Sequence, residues 1–447
     1  RGAPRPAMHQ RGSGGVSPRL AYSGAMGEVV KLQKPAEKSG QTQGKPRRRR
    51  QRRSRTALVL GGGGFTGAVY EIGALRALDL LAVNRTVNEF DVYVGTSAGS
   101  FLAALTANGV TPEEMMRVVN QQVPTPFKDV DRGTLMRPNA LEFAQSAALL
   151  PLRVLGLTRS FLGQLRSASL IDVAVGLAEA LPSGLYDGGG MEEYLDAVLG
   201  DPDRTGDFRL LENELYLPAT DLDTCERIVL GGPEWDDVPI ARAVAASAAL
   251  PMVYKPVEIK GRHLVDGGLR STTNVDVAVE AGAEFVVVVN PLVPYVNDFQ
   301  KVIPTMLGSR VRRVRDMGFP QIGYQAFKLL AHQRLHEAVK QWRERYPGVD
   351  IILIEPDAND ELMFETNILN FTRRVEIARH GFESVTLKLA SEYDEVKAIA
   401  AKHGIEISAT RVRKVIRRFA KDREKTAAWR RILEQTTAGL LSQSEEG

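Results

Sequence analysis

The chain has 447 residues, 43% of them hydrophobic and 25% charged, with a formal net charge of +4. That apolar share is ample for a large core, and the length suits two or three average domains or one large α/β unit. The single cysteine, Cys225, excludes an internal disulfide and points to a reducing, cytoplasmic setting; no run approaches the roughly 18 uncharged apolar residues of a membrane span.

The charge is unevenly placed. Residues 1–55 hold 15 Lys+Arg against 2 Asp+Glu, which leaves 43 against 52 for the rest. The leader, with its run Arg47 to Arg55, has too little apolar residue content to fold and is expected to be a disordered basic arm. It contains no apolar stretch of signal-peptide type. A bland leader is a simpler reading than a nucleic-acid-binding arm, so no nucleic-acid partner is expected.

From Thr56 onward apolar strands alternate with helical stretches, the pattern of an α/β domain around a largely parallel sheet. Strands are predicted at Ala57–Leu60, Glu89–Val94, Glu214–Thr220, Glu284–Val289 and Asp350–Ile354. The unbroken run Phe285-Val286-Val287-Val288-Val289 suits a strand covered on both faces. Helices are predicted at Ala68–Leu81, Ser100–Asn108, Val238–Leu250 and Asn367–Ser391, so the domain should span residues 56–390. Two helical additions, about 125–185 and 297–346, are expected to cover the sheet or shape an acyl-chain groove. The first contains Ala147 to Leu152 and the second Arg310, Arg312, Arg313 and Arg315. Residues 391–447 read as a charged helical extension. Within it Val412, Val415, Ile416, Phe419, Ile432 and Leu433 fall at helical spacing, as for a helix docking back on the protein.

Three turns carry the chemistry. Gly61-Gly62-Gly63-Gly64-Phe65-Thr66-Gly67 follows the first strand and offers backbone N–H groups unobstructed by side chains. Gly95-Thr96-Ser97-Ala98-Gly99 follows the second and has the G-x-S-x-G form of a nucleophile elbow. A serine hydroxyl needs a base. The sequence Val257 to Asp266 reads as a hairpin that delivers Asp266 to a strand end before Gly267 and Gly268. A second Asp-Gly-Gly, at Asp187-Gly188-Gly189, precedes a helix and reads as a turn or N-cap. The histidines are His9, His263, His332, His336, His380 and His403. His263 and Asp266 would point to opposite faces of one strand, and the others fall in the leader or in helices. A Ser97–Asp266 dyad therefore fits better than a triad, with Gly62, Gly63 and Gly64 as oxyanion donors. Gly62, Gly64 and Gly67 also match the dinucleotide fingerprint, but the acidic residue it requires at the end of the next strand is lacking.

These three ordered motifs resemble those of the patatin-like phospholipases, or lipid acyl hydrolases, and Ala219 to Thr224 and Ala245 to Pro251 look like bacterial members. The resemblance covers about residues 56–300 closely and extends loosely to 390. It implies a three-layer α/β/α sandwich with a mostly parallel sheet, Ser97 as nucleophile, Asp266 as base and an oxyanion hole near Gly62, Gly63 and Gly64. Gly61, Gly67, Gly95, Gly99, Gly267 and Gly268 complete the motifs. Many members carry Arg or Lys where this chain has Thr66, so a cation for an anionic headgroup is missing there. The implied substrate is a lipid ester, met through transient contact with a membrane surface. The chemistry calls for no metal or cofactor. An α/β-hydrolase-type esterase with a Ser-His-Asp triad and a non-catalytic lipid-binding scaffold are the alternatives, and the sequence leaves the oligomeric state open.

Overall fold

The computed structural model describes residues 29–30, 53–120, 132–149, 181–294, 319–357, 360, 362–363, 372–418 and 421. Its centre is a nine-stranded sheet. Five strands form the parallel core, in the spatial order β11 (Asp350–Ile354), β10 (Phe285–Val289), β2 (Thr56–Leu60), β3 (Val92–Gly95) and β5 (Glu214–Asp221). On the β5 side the sheet continues antiparallel through β9 (Arg262–Asp266) to β8 (Val257–Ile259), while β6 (Arg227–Leu230) also pairs antiparallel with β5. Two further short strands, β4 (Gly184–Tyr186) and β7 (Met252–Tyr254), pair with each other apart from the main sheet.

Alternation along the strands sorts the core into two layers. Leu58 and Leu60 of β2, Tyr93 of β3 and Phe285, Val287 and Val289 of β10 face one side. There they meet helices α1 (Gly64–Leu81), α2 (Ala98–Ala107) and, farther along the chain, α8 (Arg374–Ser391). Ala57, Val59, Val92, Val94, Val286 and Val288 face the other side, against α6 (Val275–Glu280) and α7 (Phe319–Arg345). Both faces of β10 are covered, which explains why its sequence is apolar at every position. The result is a three-layer α/β/α sandwich. Between α2 and α6 the chain also forms α3 (Pro112–Val119), α4 (Gly189–Leu199) and α5 (Ile240–Ser247), and α9 (Tyr393–Lys402) follows α8.

Several boundaries differ from expectation. The residues before β3 form a 3-10 turn, Val87–Glu89, because Thr86 and Glu89 cap each other reciprocally and withdraw that segment from the strand. Helix α1 starts at Gly64 rather than Ala68, since the Gly67 N–H bonds the Gly63 carbonyl and draws the glycine turn into the first helical turn. The alanine-rich helix is shorter than expected, Ile240–Ser247. In the leader, the two-residue strand β1 (Val29–Val30) pairs antiparallel with Ile351 and Ile352, where two β-branched residues meet a sheet edge. The remainder of the leader up to residue 52, including most of the arginine run, lies outside the described residues.

Of the first addition, a helix at 140–149 and the residues around it are described, whereas 150–180 are not; of the second, α7 is described, whereas Arg310 to Arg315 are not. In the extension, Val412 is buried and Ile416 packs against the core, as docking requires; Phe419, Ile432 and Leu433 lie outside the described residues. No described helix is long and apolar enough to cross a membrane.

Candidate active site

Parallel pairing of β10, β2 and β3 brings their carboxyl ends side by side, so the turns that leave them converge on one edge of the sheet. The glycine loop leaves β2, the serine elbow leaves β3, and Asn290-Pro291 leaves β10. Strand β9 enters antiparallel and places Asp266 opposite Ala219 of β5.

The elbow at Ser97 is strained. Ser97 has φ 55° and ψ −125°, a left-handed conformation uncommon for a residue with a side chain, which turns its hydroxyl out of the sheet. The flanking glycines make the turn sterically feasible. A Cβ at Gly99 would lie 2.4 Å from the Leu60 carbonyl oxygen, and one at Gly95 would lie 2.6 Å from the Cβ of Ala103. The Ser97 N–H donates to Ser247 Oγ at 3.1 Å, and Ser247 in turn donates to the Pro218 carbonyl at 2.7 Å. Ser247 therefore pins the elbow. Neighbouring Thr96 is fixed through its Oγ1, which accepts from Asn274 Nδ2 at 3.0 Å.

Ser97 Oγ donates to Asp266 Oδ2 at 2.6 Å, across 169 residues of chain. The other carboxylate oxygen, Oδ1, accepts the Gly268 N–H at 2.7 Å, which fixes the plane of the carboxylate. Gly267 lets this turn press against β5, since a Cβ there would lie 2.2 Å from the Pro218 carbonyl oxygen. Asp266 is only 2% exposed. Burial pushes its carboxyl up to about 6, against the opposing pull of the Ser97 and Gly268 hydrogen bonds.

The glycine loop divides by function. The Gly62 N–H is committed to the Thr272 carbonyl at 3.1 Å, so it is not a free donor. The loop must bend past Thr272 to reach the site, and that carbonyl takes the N–H on the way. Among the described residues no hydrogen bond uses the N–H groups of Gly63 and Gly64, which cap and open α1. The N–H of Ala98, at the first position of α2, is likewise uncommitted. Gly62 contributes shape instead: a Cβ there would stand 3.1 Å from that of Ser97.

An apolar cavity of about 190 Å³ is lined by both Ser97 and Asp266. One wall is the stripe Ala98, Phe101, Leu102 and Leu105 on α2, and Met115 and Val118 of α3 extend it. Tyr324 and Phe327 of α7 close the side next to the Asp266 turn. Among the described residues no histidine lines this cavity; His263 lies at the surface, 3.5 Å from Asp223. Asp187 accepts the Gly189 N–H at 2.8 Å and pairs with Arg137, the arrangement of a turn at the start of α4. Asp91 accepts from the N–H and hydroxyl of Thr56 at the opposite end of the sheet from the glycine loop, out of reach of any nucleotide ribose there.

Residues 58–279 match the patatin-like phospholipase family. That stretch is a patatin-like phospholipase domain. A curated relative, the uncharacterized protein YqhO of Bacillus subtilis (strain 168), is 26% identical over 225 residues, covering 46% of this chain and 64% of YqhO. The chain thus spans a little under two thirds of that relative's length. Among solved structures, VipD from Legionella pneumophila is similar at 15% identity with a TM-score of 0.34, covering 76% of this chain and 67% of VipD. ExoU of the Pseudomonas aeruginosa type III secretion system, in its complex with SpcU, gives 15% identity and a TM-score of 0.27, with coverage of 79% and 59%.

Ser247 and Thr272 were not apparent as site residues from sequence. Ser247 had a signal, as a hydroxyl within the apolar run from Val244 to Leu250. Thr272 had none, because only its backbone carbonyl is used.

Proposed function

We propose that the chain is a serine lipid acyl hydrolase acting through Ser97 and Asp266. The observation that carries this reading is the 2.6 Å hydrogen bond from Ser97 Oγ to a buried carboxylate, both groups lining one apolar cavity. Ser97 Oγ attacks the ester carbonyl as Asp266 Oδ2 takes its proton. The oxyanion is met by the N–H groups of Gly63 and Gly64, each well-placed donor contributing on the order of 3 kcal/mol. Asp266 then passes the proton to the departing alcohol, leaving an acyl-enzyme. Water, deprotonated by the same carboxylate, attacks the acyl carbon; fatty acid leaves and Ser97 recovers its proton. The acyl chain occupies the stripe along α2 and α3.

Thr66 is only 3% exposed, so an anionic headgroup finds no cation at that loop position. Neutral and monoacyl esters are therefore expected to turn over at least as well as anionic diacyl phospholipids. The protein works at a lipid interface, binding it peripherally. A fluorophosphonate probe tests the chemistry: labelling of wild type that is lost in Ser97→Ala and kept in single replacements of His263, His332, His336, His380 and His403 supports the dyad. Loss in one histidine variant favours a triad instead, and absence of wild-type labelling and turnover favours a scaffold. Flotation with anionic liposomes at low salt tests the interface, and absence of binding refutes that part.

A further inference from the structure

We infer that His332, His336 and Glu355 form a zinc site that staples helix α7 to the carboxyl end of the sheet. His332 and His336 are four residues apart on α7 and so project from one face, the spacing with which helices present paired imidazoles to zinc. Glu355 comes from the residue immediately after β11. One ligand atom from each of the three lies within 4.8 Å of the others. Tetrahedral zinc with bonds of about 2.0–2.1 Å needs separations of about 3.4 Å, which rotation of two half-buried imidazoles supplies. Two imidazoles and one carboxylate leave a fourth position for water.

The surroundings prepare the carboxylate. Asn290 Nδ2 donates to Glu355 Oε1 at 2.7 Å, leaving Oε2 toward the imidazoles, 3.1 Å from His336 Nε2. Such an outer partner orients a ligand carboxylate. A simple His–Glu pair would need only one imidazole, yet the His332 and His336 rings stand with centroids 4.1 Å apart. Among the described residues, His332 has no hydrogen bond that would explain holding it there.

The staple bears on the cavity. Arg334, between the two histidines, donates to the Leu269 carbonyl at 2.7 Å in the turn that follows Asp266. Phe327 lies beside Gly268 and lines the cavity. Metal binding would thus fix the helix that closes the catalytic turn, without entering the Ser97 chemistry.

The test uses the full chain stripped with EDTA and dialysed against micromolar zinc, with metal measured by mass spectrometry and the thermal midpoint followed against zinc concentration. One zinc per chain is expected in wild type and in Ser97→Ala, with a midpoint that climbs as zinc is added. His332→Ala and Glu355→Gln should bind at least about tenfold more weakly. Because Glu355 is buried and its variant could misfold, His332→Ala at a half-buried position is the deciding variant. Cobalt should give a tetrahedral visible spectrum in wild type that His332→Ala lacks. Equal zinc binding by wild type and His332→Ala, or displacement of zinc by equimolar magnesium or calcium, would overturn the proposal.

Discussion

Replacing Asp266 with asparagine should inactivate the protein and, at neutral pH, make it more stable. The Asp266 carboxyl is displaced from 3.8 in its ordinary state to about 6 in the fold. Over that displacement of roughly two pH units, at about 1.4 kcal/mol each, the ionised group costs the folded state about 3 kcal/mol. Below about pH 4 both folded and unfolded chains hold the proton, and the cost is absent. Between about 4 and 6 the unfolded chain releases its proton while the folded chain keeps it, so stability falls as pH rises; above 6 the cost is complete. Asparagine carries no charge to desolvate. Its amide can still accept from Gly268 and turn an N–H toward Ser97, preserving both contacts. Urea unfolding of wild type and Asp266→Asn at pH 4, 6 and 8 should therefore show a difference near zero at pH 4 that grows toward about 3 kcal/mol in favour of the variant at pH 8. Ester hydrolysis should fall about 10²- to 10⁴-fold with loss of the base. In wild type kcat/KM should rise with pH through about 6, as the carboxylate forms. A stability difference independent of pH would refute the desolvation argument, and an active asparagine variant would refute the assignment of the base.

Three further outcomes follow from the same geometry. Ser97→Gly and Ser97→Ala both lose the hydroxyl that meets Asp266 and should both lose probe labelling, but only glycine relieves the left-handed φ of 55°, so Ser97→Gly should be more stable than Ser97→Ala by about 1 kcal/mol; equal stability would mean that the elbow is not strained. Ser247→Ala leaves the Ser97 N–H and the Pro218 carbonyl without their partner; unfolding should show a loss of about 1–3 kcal/mol, and steady-state kinetics a lower kcat with little change in KM, whereas unchanged kcat would show that the elbow holds itself. Leu105→Trp fills the stripe about 10 Å along α2 from Ala98, so turnover of long-chain esters should fall while short-chain esters are spared; equal loss for both would remove the acyl chain from this wall.

The legible part of this molecule is its local grammar, and the illegible part is what joins distant turns. Apolar runs and glycine turns located all five strands of the parallel core, because a strand covered on both faces has no freedom in composition. The tight turn around Ser97 was legible for a related reason: Gly95 and Gly99 are required by approaches under 3 Å, which leave a trace in sequence whatever the surrounding fold. Sequence could nominate Asp266 as Ser97's partner, but their 2.6 Å approach depends on β9 running antiparallel beside β5, a register set by tertiary pairing. The loss of Gly62 as a donor was beyond reach, since its acceptor is a main-chain carbonyl and any residue at position 272 carries one. The same logic hid the grouping of His332, His336 and Glu355. Helical spacing relates the two histidines, but only the closure of α7 over the end of β11 brings the carboxylate to them. Sequence thus identifies groups whose chemistry is local, while a site assembled across strands becomes visible only once pairing fixes which ends of the sheet meet.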